Sequence, residues 1–180
     1  MPLASHVRIP GPRSRMPLVA FARAAWTAPT TLLGRALGRL ASGRAGRHVR
    51  SEVAEGWIYA LPAHRLFAGI GAIALGHAIL HREGYVDGLE GRVVLAHELA
   101  HTRQHDVLGP LYLPLHGLLQ LASVALVLAT RAEVRFSPVH DLNPLEQTWI
   151  AISAGAIRPF ARGELLHAPD REAFLAAFGV

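Results

Sequence analysis

The stretch DGLEGRVVLAHELAHTRQHDVLGP, residues 87–110, decides how the chain is read. Asp87 followed three residues later by Glu90 is a capping-box pattern, in which a starting side chain and a returning glutamate satisfy free backbone N–H groups. Gly109-Pro110 closes the stretch, because glycine tolerates a left-handed cap and proline cannot continue a helix. A helix over 88–108 is expected, with His97-Glu98-x-x-His101 at its middle.

Residues four apart lie on one helix face, so the His97 and His101 rings can share an ion. Glu98, one step round the helix, reaches a water on that ion rather than the ion itself. Two neutral imidazoles leave a zinc strongly Lewis acidic, and the glutamate takes the water's proton and delivers it to a leaving group. The chain has eleven histidines, and its own residue frequencies produce this motif by chance in roughly 3% of such chains. The motif therefore needs its helical setting to carry weight.

A catalytic zinc also needs a third protein ligand and an open fourth position. His105 continues the histidine row but lies about 12 Å along the axis from His97, so it is expected to pack or to touch substrate. Val107 stands where the metzincin extension requires histidine, which excludes that subclass. Glu133, His140, Asp141 and Glu146 remain, and Glu146 is preferred because Asn143-Pro144 reads as the entry to a helix whose first turn would hold it. An acidic residue is ordinary at such a position even without a metal. His77 is expected to be a core residue on a strand face; Tyr112, His116 and His140 are candidate donors to a developing oxyanion.

With no cysteine among 180 residues, disulfides, thiolate zinc sites, iron–sulfur clusters and thiol nucleophiles are all excluded. All eighteen basic residues are arginine, and nine of them precede the first acid, Glu52. They are interleaved with apolar residues, which suits an anionic membrane surface better than a nucleic acid. Residues 1–27 are expected to form a basic, disordered leader without a cleavable secretory signal, a transit peptide being the alternative. Residues 28–180 are expected to form a single domain, either cytoplasmic or peripherally attached to a membrane.

Around the motif helix, TAPTTLLGRALGRLASG (27–43) reads as an amphipathic helix with Leu32, Leu33, Ala36, Leu37 and Leu40 on one side. EGWIYAL (55–61) reads as a strand, and GAIALGHAIL (71–80) alternates large and small residues as one strand does. Residues 107–130 carry no formal charge, but only 115–130 is uninterrupted. A spanning helix needs about 20 residues, so a buried or interfacial helix is expected here. A last helix over 170–178 is expected to be peripheral.

APTTLLG (28–34), ALGHAIL (74–80), HELAHTRQ (97–104), LGPLYLP (108–114) and NPLEQ (143–147) together resemble a group of short bacterial proteins with a zincin-type helix. More broadly the pattern is similar to the gluzincin branch of the zinc metallopeptidases, whose third ligand is a glutamate on a later helix. The resemblance implies His97, His101 and Glu146 as zinc ligands and Glu98 as general base. Ile150 stands where that branch usually has an aspartate four residues after its glutamate. A fainter likeness to membrane-embedded zinc peptidases would give parts to Asp106 and to 115–130.

The expected fold is α+β: a small zincin-like domain with a short antiparallel sheet packed on the His-Glu-x-x-His helix, and further helices. The expected function is that of a zinc-dependent hydrolase acting on peptide or protein substrates. The alternative is a non-enzymatic, membrane-associated binding module on a zincin scaffold.

Overall fold

The computed structural model describes residues 17–50, 54–62, 71–133, 138, 142–146, 148–153, 156–160 and 171–180. Its elements run α1 (Pro17–Ser42), β1 (Arg47–Arg50), β2 (Glu55–Leu61), β3 (Ala72–Leu75), β4 (Ala78–Arg82), α2 (Gly88–Leu108) and α3 (Tyr112–Thr130). A hairpin of β5 (Thr148–Ser153) and β6 (Ala156–Phe160) follows, then α4 (Arg171–Phe178). The α+β class holds. The four-stranded sheet, in order β1-β2-β4-β3, is mixed rather than antiparallel, because β2 and β4 pair in parallel.

The alternating 71–80 stretch is two strands and not one. Leu75 pairs with Ala78, so Gly76 and His77 form a two-residue turn. Gly76 has φ +62° while His77 is not among the residues of positive φ, the pattern of a type II′ hairpin, which needs glycine first. A side chain there would also strike Thr31, whose hydroxyl accepts the His77 backbone N–H at 3.0 Å. His77 consequently sits on a turn and not on a strand face.

The sheet lies between two helices. On one face Tyr59, Leu61, Ala78 and Leu80 form a core cluster against α1, where a Cβ on Gly34 would fall 2.8 Å from Ala78 and one on Gly38 2.5 Å from the Tyr59 ring. The other face packs Ile58, Ala74 and Ile79 on Val93, Ala96 and Leu99 of α2. Leu175 and Phe178 of α4 are fully buried in the same cluster, so the last helix is part of the core instead of peripheral.

Helix α1 is longer than expected, and its faces are set by the sheet. It starts at Pro17, ten residues before the Thr27 start signals, and proline suits the first helical turn, where its missing N–H leaves no bond unmade. Its leucine stripe faces outward: Leu32, Leu33, Leu37 and Leu40 are exposed, while Thr27, Thr30, Gly34 and Gly38 are buried. The small residues win the sheet side because only they allow the backbones to approach this closely.

Helix α2 has the expected bounds but not the expected cap. Asp87 takes the extended N-cap conformation without a side-chain cap bond, and Gly88 has φ +68°. At the other end, Gly109 (φ 54°, ψ −131°) and Pro110 do not end the helical path. They open a single 3₁₀ turn, Gly109–Leu111, that leads directly into α3, and the two helices form one 43-residue rod, Gly88–Thr130.

Candidate metal centre

Helix α2 is buried on nearly all sides, from Val93 to Thr102 without a break. His97 and His101 thus lie inside the protein, and their Nε2 atoms are 3.0 Å apart. Nitrogens that close need a proton or a cation between them, since two lone pairs would repel. Glu146 completes the group, with Oε2 3.4 Å from His97 Nε2 and 3.7 Å from His101 Nε2.

These spacings fit a metal. Four ligands at about 2.05 Å in a tetrahedron stand about 3.3 Å apart, close to the three separations of 3.0, 3.4 and 3.7 Å. Two imidazoles and one carboxylate form a donor set that could hold a divalent ion and leave one position open.

Glu146 reaches this place by a route other than the expected helix. Asn143 Oδ1 accepts the Leu145 N–H at 3.0 Å, and the Glu146 N–H returns to the Asn143 carbonyl at 3.0 Å. This is an asparagine-led turn. The chain then enters β5, whose Thr-Trp-Ile run favours a strand over a helix. Asn143, fully buried, locks the turn and thereby aims the glutamate.

A second ring of side chains holds the first. Gln104 Oε1 accepts from His101 Nδ1 at 2.8 Å, which leaves Nε2 free to face the site. The same amide donates through Nε2 to the Leu145 carbonyl at 3.0 Å, next to Glu146. The Tyr112 hydroxyl lies 2.9 Å from His101 Nδ1, and His116 Nε2 donates to Glu146 Oε1 at 2.8 Å. His116 therefore steadies a carboxylate oxygen here, where the sequence suggested an oxyanion donor. Gln104 was not foreseen, although its place three residues after His101, on the same helix face, was a usable signal.

The electrostatics agree with an anionic pocket. Burial alone would raise the Glu146 pKa, but hydrogen bonds from His101, His116 and His97 hold it well below the usual carboxylate range. Burial opposes charge on His101 as well, yet the Glu146 bond and the Glu98 and Glu146 charges raise its pKa above the ordinary histidine value. Glu98 is buried, and its charge bears on His101.

The remaining histidine-and-acid candidates fall elsewhere. His105 is buried against the hairpin, accepting the Gly76 N–H at Nε2 (3.2 Å) with its ring 3.8 Å from that of Tyr112. Burial lowers its pKa to about 3, so it packs as a neutral ring. His77 and Asp106 pair with each other at 2.9 Å, and Arg23 and Arg103 also bind Asp106. That network ties α1 to α2 and leaves Asp106 outside the metal group. Glu133 is exposed past the end of α3, and His140 and Asp141 lie outside the described residues.

No protein-family profile, no curated protein and no solved structure matches this chain. The site is consequently read from its own geometry.

Proposed function

We propose that the protein is a zinc-dependent hydrolase of the zincin type, acting on peptide or protein substrates. The observation that carries this reading is the convergence of His97 Nε2, His101 Nε2 and Glu146 Oε2 at the spacing a tetrahedral ion needs. Zinc bound by these three side chains would supply Lewis acidity.

The protein's own groups supply the rest. Glu98, adjacent to His97 on the buried helix, takes the proton of the attacking water and hands it to the leaving group. Gln104 keeps the His101 proton on Nδ1, and His116 keeps the second Glu146 oxygen occupied, so the three ligand atoms stay aimed at one point.

Metal analysis and turnover measured on the same preparations test this. The wild type should hold close to one zinc per chain and cleave members of a mixed peptide library. Glu98→Gln should keep the zinc and lose cleavage by about a hundredfold or more; Glu146→Gln and His97→Ala should lose both. Cleavage undiminished in Glu98→Gln, or a wild type that takes up no zinc, removes the hydrolase reading. Full zinc with no cleavage of any peptide favours the non-enzymatic module.

A further inference from the structure

Helices α1 and α3 are both built with polar or small side chains toward the protein and leucines away from it. On α3, Tyr112 and His116 turn inward to the site and Ser123 bonds inward to Pro138 and Leu142. The opposite side is entirely apolar, and Leu118, Leu121 and Leu128 are 65%, 71% and 74% exposed. On α1 the buried positions are Thr27, Thr30, Gly34 and Gly38, whereas Leu18, Phe21, Leu32 and Leu40 stand outside. Water selects the reverse arrangement in a helix; a hydrocarbon surrounding selects this one.

The two leucine faces meet where α1 crosses the joint between α2 and α3. The Trp26 indole covers Gly109 and donates to the Val107 carbonyl at 3.3 Å, and Trp26, Val107 and Leu111 are all exposed there. Tryptophan at the edge of an apolar surface is a common feature of membrane interfaces.

We infer that the outer faces of α1 and α3 lie in one leaflet of an anionic lipid bilayer, as a monotopic attachment rather than a span. The chain after α3 argues against spanning: it turns at Arg131 (φ 53°) and returns to Ser123, halfway back along the same helix. Charge sets the orientation. Exposed Arg39 stands beside Leu40 at the C-terminal end of α1 and exposed Arg44, Arg47 and Arg50 follow it, whereas exposed Glu83, Asp87 and Glu90 gather at the opposite end of α2 from the joint, about 30 Å along the helix axis. The metal group then sits one helix thickness, about 10 Å, from the lipid, because α3 presents the site on one side and the bilayer on the other.

The absence of cysteine makes site-directed probes unambiguous. Leu118→Cys, Leu33→Cys and Glu90→Cys, each labelled with an environment-sensitive dye, would be mixed with vesicles of phosphatidylcholine and phosphatidylserine. The dyes at 118 and 33 should shift to the blue and be quenched by brominated lipid, while the dye at 90 should not respond. The combined Leu118→Glu, Leu121→Glu and Leu126→Glu variant should lose vesicle flotation by about tenfold or more, with its melting temperature and zinc content retained. Equal flotation of variant and wild type overturns the inference. So does shielding of the 118 and 33 dyes in lipid-free buffer at concentrations where the protein dimerises, which would assign the face to a second copy. None of these readouts depends on turnover, so their failure is separable from failure of the hydrolase reading.

Discussion

The two halves of the long helical rod invert the usual relation between polarity and depth. Helix α2 carries three histidines together with Glu98, Arg103 and Asp106, and it is buried without a break from Val93 to Thr102. Helix α3 carries no formal charge, yet it exposes Leu115, Leu118, Leu121, Leu126 and Leu128. A glycine–proline joint of three residues separates them. Depth here follows what each helix must touch: α2 has a sheet on one side and the Glu146 turn on another, whereas α3 has protein on a single face.

A pair of leucine truncations tests the contrast most sharply. Leu99, fully buried between the sheet and α2, should cost about 2–5 kcal/mol when changed to alanine, because the cavity cannot close around it. Leu121, on the outer face of α3, should cost less than about 0.5 kcal/mol in lipid-free buffer, although it is the same chemical change. Denaturant unfolding of both variants checks this. A large loss in Leu121→Ala would show that α3 is packed against something after all.

The polar residues of α2 provide the next test, through pH. His105 has a pKa lowered to about 3 by burial, against about 6.5 in an unfolded chain. The unfolded state therefore takes up a proton first, and stability falls as pH drops from about 6.5 toward 3. By pH 5 the loss should be about 2 kcal/mol. His101, whose pKa is raised, contributes fully below 6.5 and loses its contribution only above that, so it leaves this window undisturbed. Denaturation of metal-free protein across the window, compared with His105→Leu, checks the assignment: the substitution should flatten the slope whatever it does to stability at pH 8.

The same contrast explains which parts of the structure were legible in the sequence. The bounds of α2 were readable because the Asp87–Glu90 pattern and Gly109-Pro110 are local signals, and His97 and His101 came with them. Gly76 was missed as a turn because large and small residues alternate straight through it, and only its backbone φ reveals the hairpin. The orientation of α1 was not legible for a physical reason: a leucine stripe says that a surface is apolar, not that protein covers it. Glu146 was preferred for an expected helix entry at Asn143-Pro144, and the turn that holds it instead depends on tertiary packing that no spacing announces.

Gln104 offers the smallest and most specific test, because it links the two kinds of information. It belongs to α2 by sequence but serves the Glu146 turn by contact, accepting from His101 Nδ1 and donating to the Leu145 carbonyl. It acts as a positioning residue, since it touches His101 and the backbone beside Glu146 rather than the point on which they converge. Partners of this kind contribute about 10–100-fold to metal affinity, and the lower end applies here because the Tyr112 hydroxyl also reaches Nδ1. Gln104→Leu should therefore weaken zinc binding about tenfold. Gln104→Glu keeps the acceptor for Nδ1 while losing the donor to Leu145, and should recover part of that loss. Nitrogen NMR of the His101 ring in the zinc-free protein, taken above its raised pKa so that the ring is neutral, separates positioning from mere destabilisation. The Nδ1–H tautomer should dominate in the wild type and in Gln104→Glu and give way to a mixture in Gln104→Leu; an unchanged tautomer ratio in Gln104→Leu would assign the orienting role to Tyr112 instead.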